Sequence, residues 1–272
     1  MATPLGNLRD ITLRALDVLA SADAVAAEDT RLTRQLLSHY EIRTQLLALH
    51  EHNEEQGALR IVKWLTEGKS VAYVTDAGTP AISDPGALLV SRVREAGLRV
   101  IPVPGPSALT AALSAAGVSA PHFLFYGFLP SKAGARREAL AGLSALPHAL
   151  VFYEAPHRVL ETLDDMVQAF GSERRLVIAR EITKLFESFH RCTLGAASAW
   201  LGEDANRLKG EFVLIVEGAT AAHDASAEES ERVLQILLTE LPLKQAVQLA
   251  AEITGAKRNA LYQRALELKK TD

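Results

Sequence analysis

Carboxylates, histidines and arginines gather at five places in this chain, each at or just beyond a short apolar segment. Glu28, Asp29, Thr30 and Arg31 follow 24–27, His50 to Asn53 follow 44–49, and Asp76 and Asp84 follow 70–74. Glu154 with His157 and Arg158 follows 149–153, and Arg180 with Glu181 closes 176–181. Side chains of these kinds relay protons or stabilise developing charge. Each has a plainer use too: Asp29 or Thr30 can cap the helix that follows, and His157–Arg158 can be a solvated first turn. A second set is basic. Lys132, Arg136 and Arg137 open a helical pattern, and Lys132 and Arg136, four apart, share a face. From 243 to 272 six Lys/Arg stand against three Asp/Glu, while 203–232 holds eight acids and three bases. A basic end beside an acidic neighbour is a nucleic-acid footprint and equally an ordinary exposed helix.

Four turns rich in proline and glycine accompany the polar clusters: ATPLGN at 2–7, DAGTPAISDPG at 76–86, PVPGPSA at 102–108 and YGFLP at 126–130. Each alone reads as a tight turn. Together, at the carboxyl side of predicted strands, they point to a ligand cleft, because open parallel sheets bind ligands there.

The elements that would carry these turns alternate. Helical spacing marks 12–22, 30–40, 54–67 and 85–96. Strand-like apolar runs mark 44–49, 70–74 and 98–103, with the short apolar 24–27 among them. That alternation predicts a parallel, doubly wound sheet. The second half differs: 123–126, 149–153, 176–181, 186–193 and 211–217 read as strands. Helices are expected at 132–146 and 156–170, with little helix among the last three strands, so a second α/β domain with an antiparallel part is expected. Residues 218–230, small and acidic, read as a linker. Helices at 231–241, 243–253 and 257–269 follow, the last two joined at Thr254–Gly255–Ala256 as in a helix-turn-helix. The expected domains are 1–116, 117–222 and 223–272.

Composition narrows the classes. The chain has 272 residues, 48% apolar and 23% charged, which excludes a largely disordered chain. Its net charge of −4 argues against a protein that coats nucleic acid. Cys192 is the lone cysteine, so no internal disulfide or multi-thiolate metal site forms, and a cytoplasmic setting is expected. No signal-peptide pattern and no membrane-length apolar run is present. No two glycines stand two apart, so the GxGxxG dinucleotide loop is missing. His50–Glu51–His52–Asn53–Glu54 fails the HExxH zinc pattern at 54, and no metal is expected.

The ordered set ATPLGN, AEDTR, HEHNE, DAGTPAISDPG, PGPSA, YGFLP, FYEAPHR and KGEFVLIVEG resembles the tetrapyrrole (corrin/porphyrin) methylase superfamily, and within it the methylases of small-subunit ribosomal RNA. LPLKQAVQLAAEITGAKRNALYQRAL is similar to their C-terminal helical domain. The resemblance implies two α/β domains with S-adenosyl-L-methionine between them. It implies 2′-O-methylation of a cytidine of 16S RNA near the decoding site, in free RNA or the assembled 30S subunit, by a homodimer. Carried over residue by residue, the donor site would use Pro4, then Asp76, Ala77, Gly78, Thr79, Pro80, Ser83 and Asp84, then Ser107 and Ala108. The strand ends at Glu154, Glu181 and Glu211 would meet adenine and ribose through their backbone. The family pattern also has an apolar strand ahead of ATPLGN, where this sequence has only Met1, so a first domain lacking that strand and destabilised is expected.

Such a transfer needs oxygen, methyl carbon and sulfur held in line, with a base or an electrostatic helper for the hydroxyl. Glu28, Asp29 and His50 are the candidate bases, and Lys132 a candidate helper. Lys132, Arg136, Arg137, Lys257 and Arg258 are candidate RNA contacts. Two alternatives stand beside this one: a tetrapyrrole-type small-molecule methylase, and a ligand-sensing DNA-binding regulator.

Overall fold

The computed structural model describes residues 1–50, 53–219 and 224–271. The first sheet has the order β2-β1-β3, from β1 (Ala24–Ala27), β2 (Gln45–Ala48) and β3 (Val71–Val74), all parallel. Period-two alternation sends Val25 and Ala27 to one face and Ala24 and Ala26 to the other. α1 (Leu13–Ser21) and α2 (Thr30–His39) cover the first face with Ala15, Leu19, Leu36 and Leu37. α3 (Glu54–Thr66) and α4 (Ala87–Glu95) cover the second with Ala58, Ile61, Leu89 and Val93. A strand covered on both faces must be apolar throughout, which is why β1 reads AVAA.

Residues 98–103, expected as a strand, join no sheet ladder. Val103 instead accepts a single hydrogen bond from the Ala2 N–H at 3.2 Å. Pro102, Pro104 and Pro106 withhold the backbone donors a ladder would need. The next helix, α5 (Ala108–Ala116), is alanine-rich and gives no amphipathic signal in the sequence. It lies before the boundary expected at 116, yet it buries Ala112 and Ala116 against the second sheet.

That sheet comprises β4 (Phe123–Phe128), β5 (Ala149–Glu154), β6 (Arg175–Arg180), β7 (Ser188–Thr193) and β8 (Phe212–Val216) in the order β4-β5-β8-β6-β7. β4 and β5 are parallel and the other pairs antiparallel, the mixture expected. α6 (Ala133–Leu143) and α7 (Val159–Phe170) fall near the expected helices. α8 (Leu194–Gly202) corrects the expectation of little helix among the last strands. Its sequence LGAASAWLG has too few polar residues to show a period, but Leu194, Ala197 and Leu201 are buried.

Both sheets lie in one compact unit, Met1–Ala141 with Ala149–Glu217. Gly142–His148 with Gly218–Asp272 form a second. The second unit holds α9 (Asp224–Glu240), α10 (Leu243–Thr254) and α11 (Arg258–Thr271) around Leu234, Val247, Ala250, Leu261 and Ala265. α9 starts at Asp224, inside the stretch expected to be a linker. Acidic residues are favourable at a helix start, so their density did not mean loop. Of that stretch, 220–223 lie outside the described residues. Gly255, with φ 71, ends α10 in the left-handed conformation glycine adopts without strain.

Arg136, expected as an RNA contact sharing a face with Lys132, is 2% exposed. Its guanidinium donates to Asp165 at 2.6 Å and lies 3.5 Å from Glu161. It is a buried structural cation, and the pattern of Lys132, which lies outside α6, did not reveal that. Arg136→Ala would leave Asp165 in the interior with only Arg137, itself 2.9 Å away, as partner. The expected loss is about 3–5 kcal/mol of unfolding free energy, read from urea denaturation, against less than about 1 kcal/mol for the exposed Lys132→Ala.

Candidate functional site

Three of the four Pro/Gly turns are hydrogen-bonded to one another, and the fourth packs against them. Thr3 and Gly78 exchange both backbone hydrogen bonds, at 2.9 and 3.0 Å, and the Thr3 hydroxyl donates to the Thr75 carbonyl at 3.0 Å. The Thr79 hydroxyl donates to the Pro106 carbonyl at 3.0 Å. The fourth turn comes from the other sheet: a Cβ at Gly127 would strike the Ser83 hydroxyl, so only glycine lets these loops meet. Gly127 sits at φ 80, where β4 shifts register. The Leu109 N–H donates to the Tyr153 hydroxyl at 3.0 Å. Gly6 lies against the Lys184 stem, and the Lys184 ammonium binds Glu181 at 2.9 Å and Glu211 at 3.0 Å. Turns from the first sheet thus close on the β6 and β8 ends of the second.

Backbone strain gathers in the same loops. Five described non-glycine residues have φ in the left-handed region, and four of them, Ala81, Ser83, Glu181 and Thr183, are here. Such conformations persist where surroundings over-determine them, and they mark functional loops.

The electrostatics are one-sided. The Asp29 N–H donates to Asp76 at 2.9 Å, linking the β1 and β3 ends. The Asp29 carboxylate caps α2 by accepting from the Arg31 N–H at 2.7 Å, and Arg31 holds its pKa down at about 2. Asp84 behaves oppositely. Half-buried, it is pushed up to about 6 by desolvation and by the neighbouring Glu28 and Asp76. Tyr73 is raised by burial and then by the charges of Glu28, Glu54, Asp84 and Asp76. Its hydroxyl is buried with no hydrogen-bond partner among the described residues. Glu54 is engaged, accepting from the Gly86 N–H at 2.9 Å. Carboxylates crowded at strand ends beside strained glycine loops suit a small cationic ligand, whose charge would relieve their repulsion.

The expected donor-site residues of the first sheet, Pro4, Asp76, Ala77, Gly78, Thr79, Pro80, Ser83, Asp84, Ser107 and Ala108, fall on these linked loops. Glu181 and Glu211 are joined there through Lys184 and through the Glu181 N–H to Glu211 carbonyl bond of 3.0 Å. Glu154 is also at a strand end, but its carboxylate faces inward, accepting from Thr162 at 2.6 Å and from the Ala155 N–H at 2.8 Å. His50 lies just beyond β2 with its N–H on Asn53 at 2.8 Å, whereas Glu51 and His52 lie outside the described residues. Lys132 and Arg137 are both exposed, the latter paired with Asp165. Lys257 and Arg258 are exposed in the second unit, where Arg258 opens α11. Tyr73 and Tyr153 were missed from sequence. The available signal was a lone tyrosine in each apolar strand, next to the polar strand end.

A two-lobed α/β body with its loops gathered at strand ends is the architecture of a known class of methylases. Residues 2–198 match the Tetrapyrrole (Corrin/Porphyrin) Methylases, and residues 224–269 match the RsmI C-terminal HTH domain. The chain belongs to the tetrapyrrole methylase family. Its sequence is 52% identical over 265 residues to ribosomal RNA small subunit methyltransferase I of Escherichia coli O157:H7, covering 97% of this chain and 93% of that protein. It is 51% identical over 269 residues to the protein of that name from Pseudomonas aeruginosa, covering 98% and 95%. Among solved structures, cobalt precorrin-4 methyltransferase shares the fold with a TM-score of 0.60 at 19% identity, covering 80% of this chain and 92% of that one. The uroporphyrin-III C-methyltransferase of Thermus thermophilus does so with a TM-score of 0.57 at 22% identity, covering 79% and 91%.

The raised pKa of Asp84 has a definite sign. An acid whose folded pKa lies above its unfolded value favours folding below the unfolded pKa and loses that contribution as pH rises through the folded one. Between pH 4 and about 6 the ligand-free protein therefore loses stability on this account. Asp84→Asn is expected to flatten that limb and to stabilise the ligand-free protein at pH 7. The gain is on the order of 1 kcal/mol, since water still screens this half-buried group. Thermal melts of both proteins across that pH range check it.

Proposed function

We propose that this chain transfers a methyl group from S-adenosyl-L-methionine to the 2′-hydroxyl of a cytidine ribose in small-subunit (16S) ribosomal RNA near the decoding site. One observation carries this over a small-molecule acceptor. The likeness to proteins named for the ribosomal RNA reaction spans both α/β lobes and the helical unit at 224–269, a unit with its own family match.

When bound, S-adenosyl-L-methionine supplies a methyl carbon made electrophilic by a sulfonium. The glycine turn at Gly78 and Gly127 and the carboxylates Asp76 and Asp84 fit such a cation. The loop from Asp76 to Pro80, with Ser83, Asp84, Pro4, Ser107 and Ala108, would hold it. Backbone at Glu154, Glu181 and Glu211 would meet its adenosine part. Positioning of this kind is worth roughly 7–11 kcal/mol of barrier. Glu28, just beyond β1 and close enough to raise both Tyr73 and Asp84, is the favoured base for the ribose proton. Asp29 is the weaker choice, since Arg31 keeps it a poor proton acceptor. Its part is to hold α2 and the Asp76 loop. His50 is a further proton acceptor at the β2 end, and Lys132 a helper for the developing alkoxide or an adjacent phosphate. Arg137, Lys257 and Arg258 would contact RNA. The acting species is a homodimer in the cytoplasm, on free RNA or the assembled 30S subunit.

Mapping ribose methylation in RNA from cells with and without this protein tests the reading, and an unchanged map overturns it. Glu28→Ala is expected to lower turnover by about 10²–10⁴ while leaving donor affinity within a few-fold, as measured by labelled-methyl transfer and calorimetry. Lys257→Ala with Arg258→Ala is expected to weaken RNA binding and flatten its salt dependence by about 0.7 for each phosphate no longer neutralised, which filter binding over a salt series reads.

A further inference from the structure

α2 carries its polar side chains on one stripe. Arg31, Arg34, Gln35, Ser38 and His39 recur at three- and four-residue spacing opposite the buried Thr33, Leu36 and Leu37. The five line an open groove of about 630 Å³. Arg34 and Ser38 also line an adjoining hollow of about 230 Å³ that reaches Arg43 and Thr44. The stripe starts at the candidate site, because Asp29, the cap of α2, donates its N–H to Asp76. From Arg31 to Ser38 it runs about 10 Å along the helix axis.

The charges on it are available. The Arg31 side chain is 84% exposed and touches Asp29 with one edge of its guanidinium. Among the described residues no carboxylate pairs with Arg34 or Arg43, and Glu41, the acid of the intervening turn, bonds to neither. On a chain of net charge −4, Arg34 and Arg43, with no carboxylate partner among the described residues and in line with the Asp29-paired Arg31, are a local feature with their own field. The groove is open and lined by polar residue types, unlike the enclosed pocket that takes a small molecule. It offers planar guanidinium forks with neutral donors between them, the chemistry that grips successive phosphates.

We propose that the α2 stripe of Arg31 and Arg34, continued by Arg43, tracks the phosphate backbone of the RNA strand whose ribose enters the strand-end site. This rests on the function proposed above and adds a surface in the first lobe to the helical unit.

The test uses the full chain with Arg34→Glu and Arg43→Glu combined, and with Arg34→Lys as the charge-preserving control. The probe is a single-stranded fragment of small-subunit RNA, titrated over a salt series, with binding of S-adenosyl-L-methionine alone as the second readout. The double variant is expected to bind RNA at least about tenfold more weakly, with a salt slope shallower by about 1.4 for two phosphates. Donor affinity should be unchanged, and Arg34→Lys should keep the parent slope. A parent protein that acts on the RNA beside a double variant of equal affinity and slope overturns this inference alone. A parent protein that neither binds nor methylates the RNA, as the fragment or within the assembled 30S subunit, overturns the proposed function, and this inference falls with it.

Discussion

Parallel pairing of β1 with β2 and β3 is the constraint on which the rest of the site depends. The register sets Ala27 opposite both Ala48 and Val74, so three chains leave the sheet at one edge and in one direction. Glu28, His50 and Asp76, separated by 22 and 26 positions in sequence, emerge there together. The hydrogen bond from the Asp29 N–H to Asp76 then fastens two of those exits. Shifting one strand by a single residue would turn its buried side chains outward and carry its loop away from the other two.

The second lobe is brought to that edge by packing that tolerates little variation. A helix that begins in the PGPSA turn of the first lobe buries its alanines on the second sheet, so the turn and that sheet move as one piece. Gly127 against Ser83, Gly6 against Lys184, and the Tyr153 hydroxyl under the start of α5 complete the closure. Each depends on an absent or closely sized side chain. The left-handed backbone at Ala81, Ser83, Glu181 and Thr183 is the local cost of that fit, of order 1–3 kcal/mol per residue.

Charge is divided between two surfaces. At the strand ends, carboxylates lie near a half-buried ring, burial with Glu28 and Asp76 raises Asp84, and the local charge favours a cation. One helical turn away, arginines stand with little to neutralise them. Arg31 belongs to both, since it pairs with the cap of α2 while facing solvent. Arg136 shows why sign alone does not identify such a surface: the same residue type, also at a helix start, is interior and bound to Asp165.

Much of this was legible in the amino-acid order. The turns, the alternation of helix and strand, the antiparallel second half and the terminal helix pair are local patterns, carried by proline, glycine and apolar period. Cap chemistry at Asp29 was legible for the same reason. What escaped lacked a local signature. α5 and α8 are too rich in alanine to show a face, 98–103 has strand composition but prolines where a ladder needs donors, and α9 hides in acidic residues that suit a helix start. The burial of Arg136, the inward turn of Glu154 and the gathering of carboxylates around Tyr73 were settled only by the fold. They depend on partners as far as 45 positions away in the chain, and desolvation and Coulomb interaction act through space, with little trace in the spacing of residues along it.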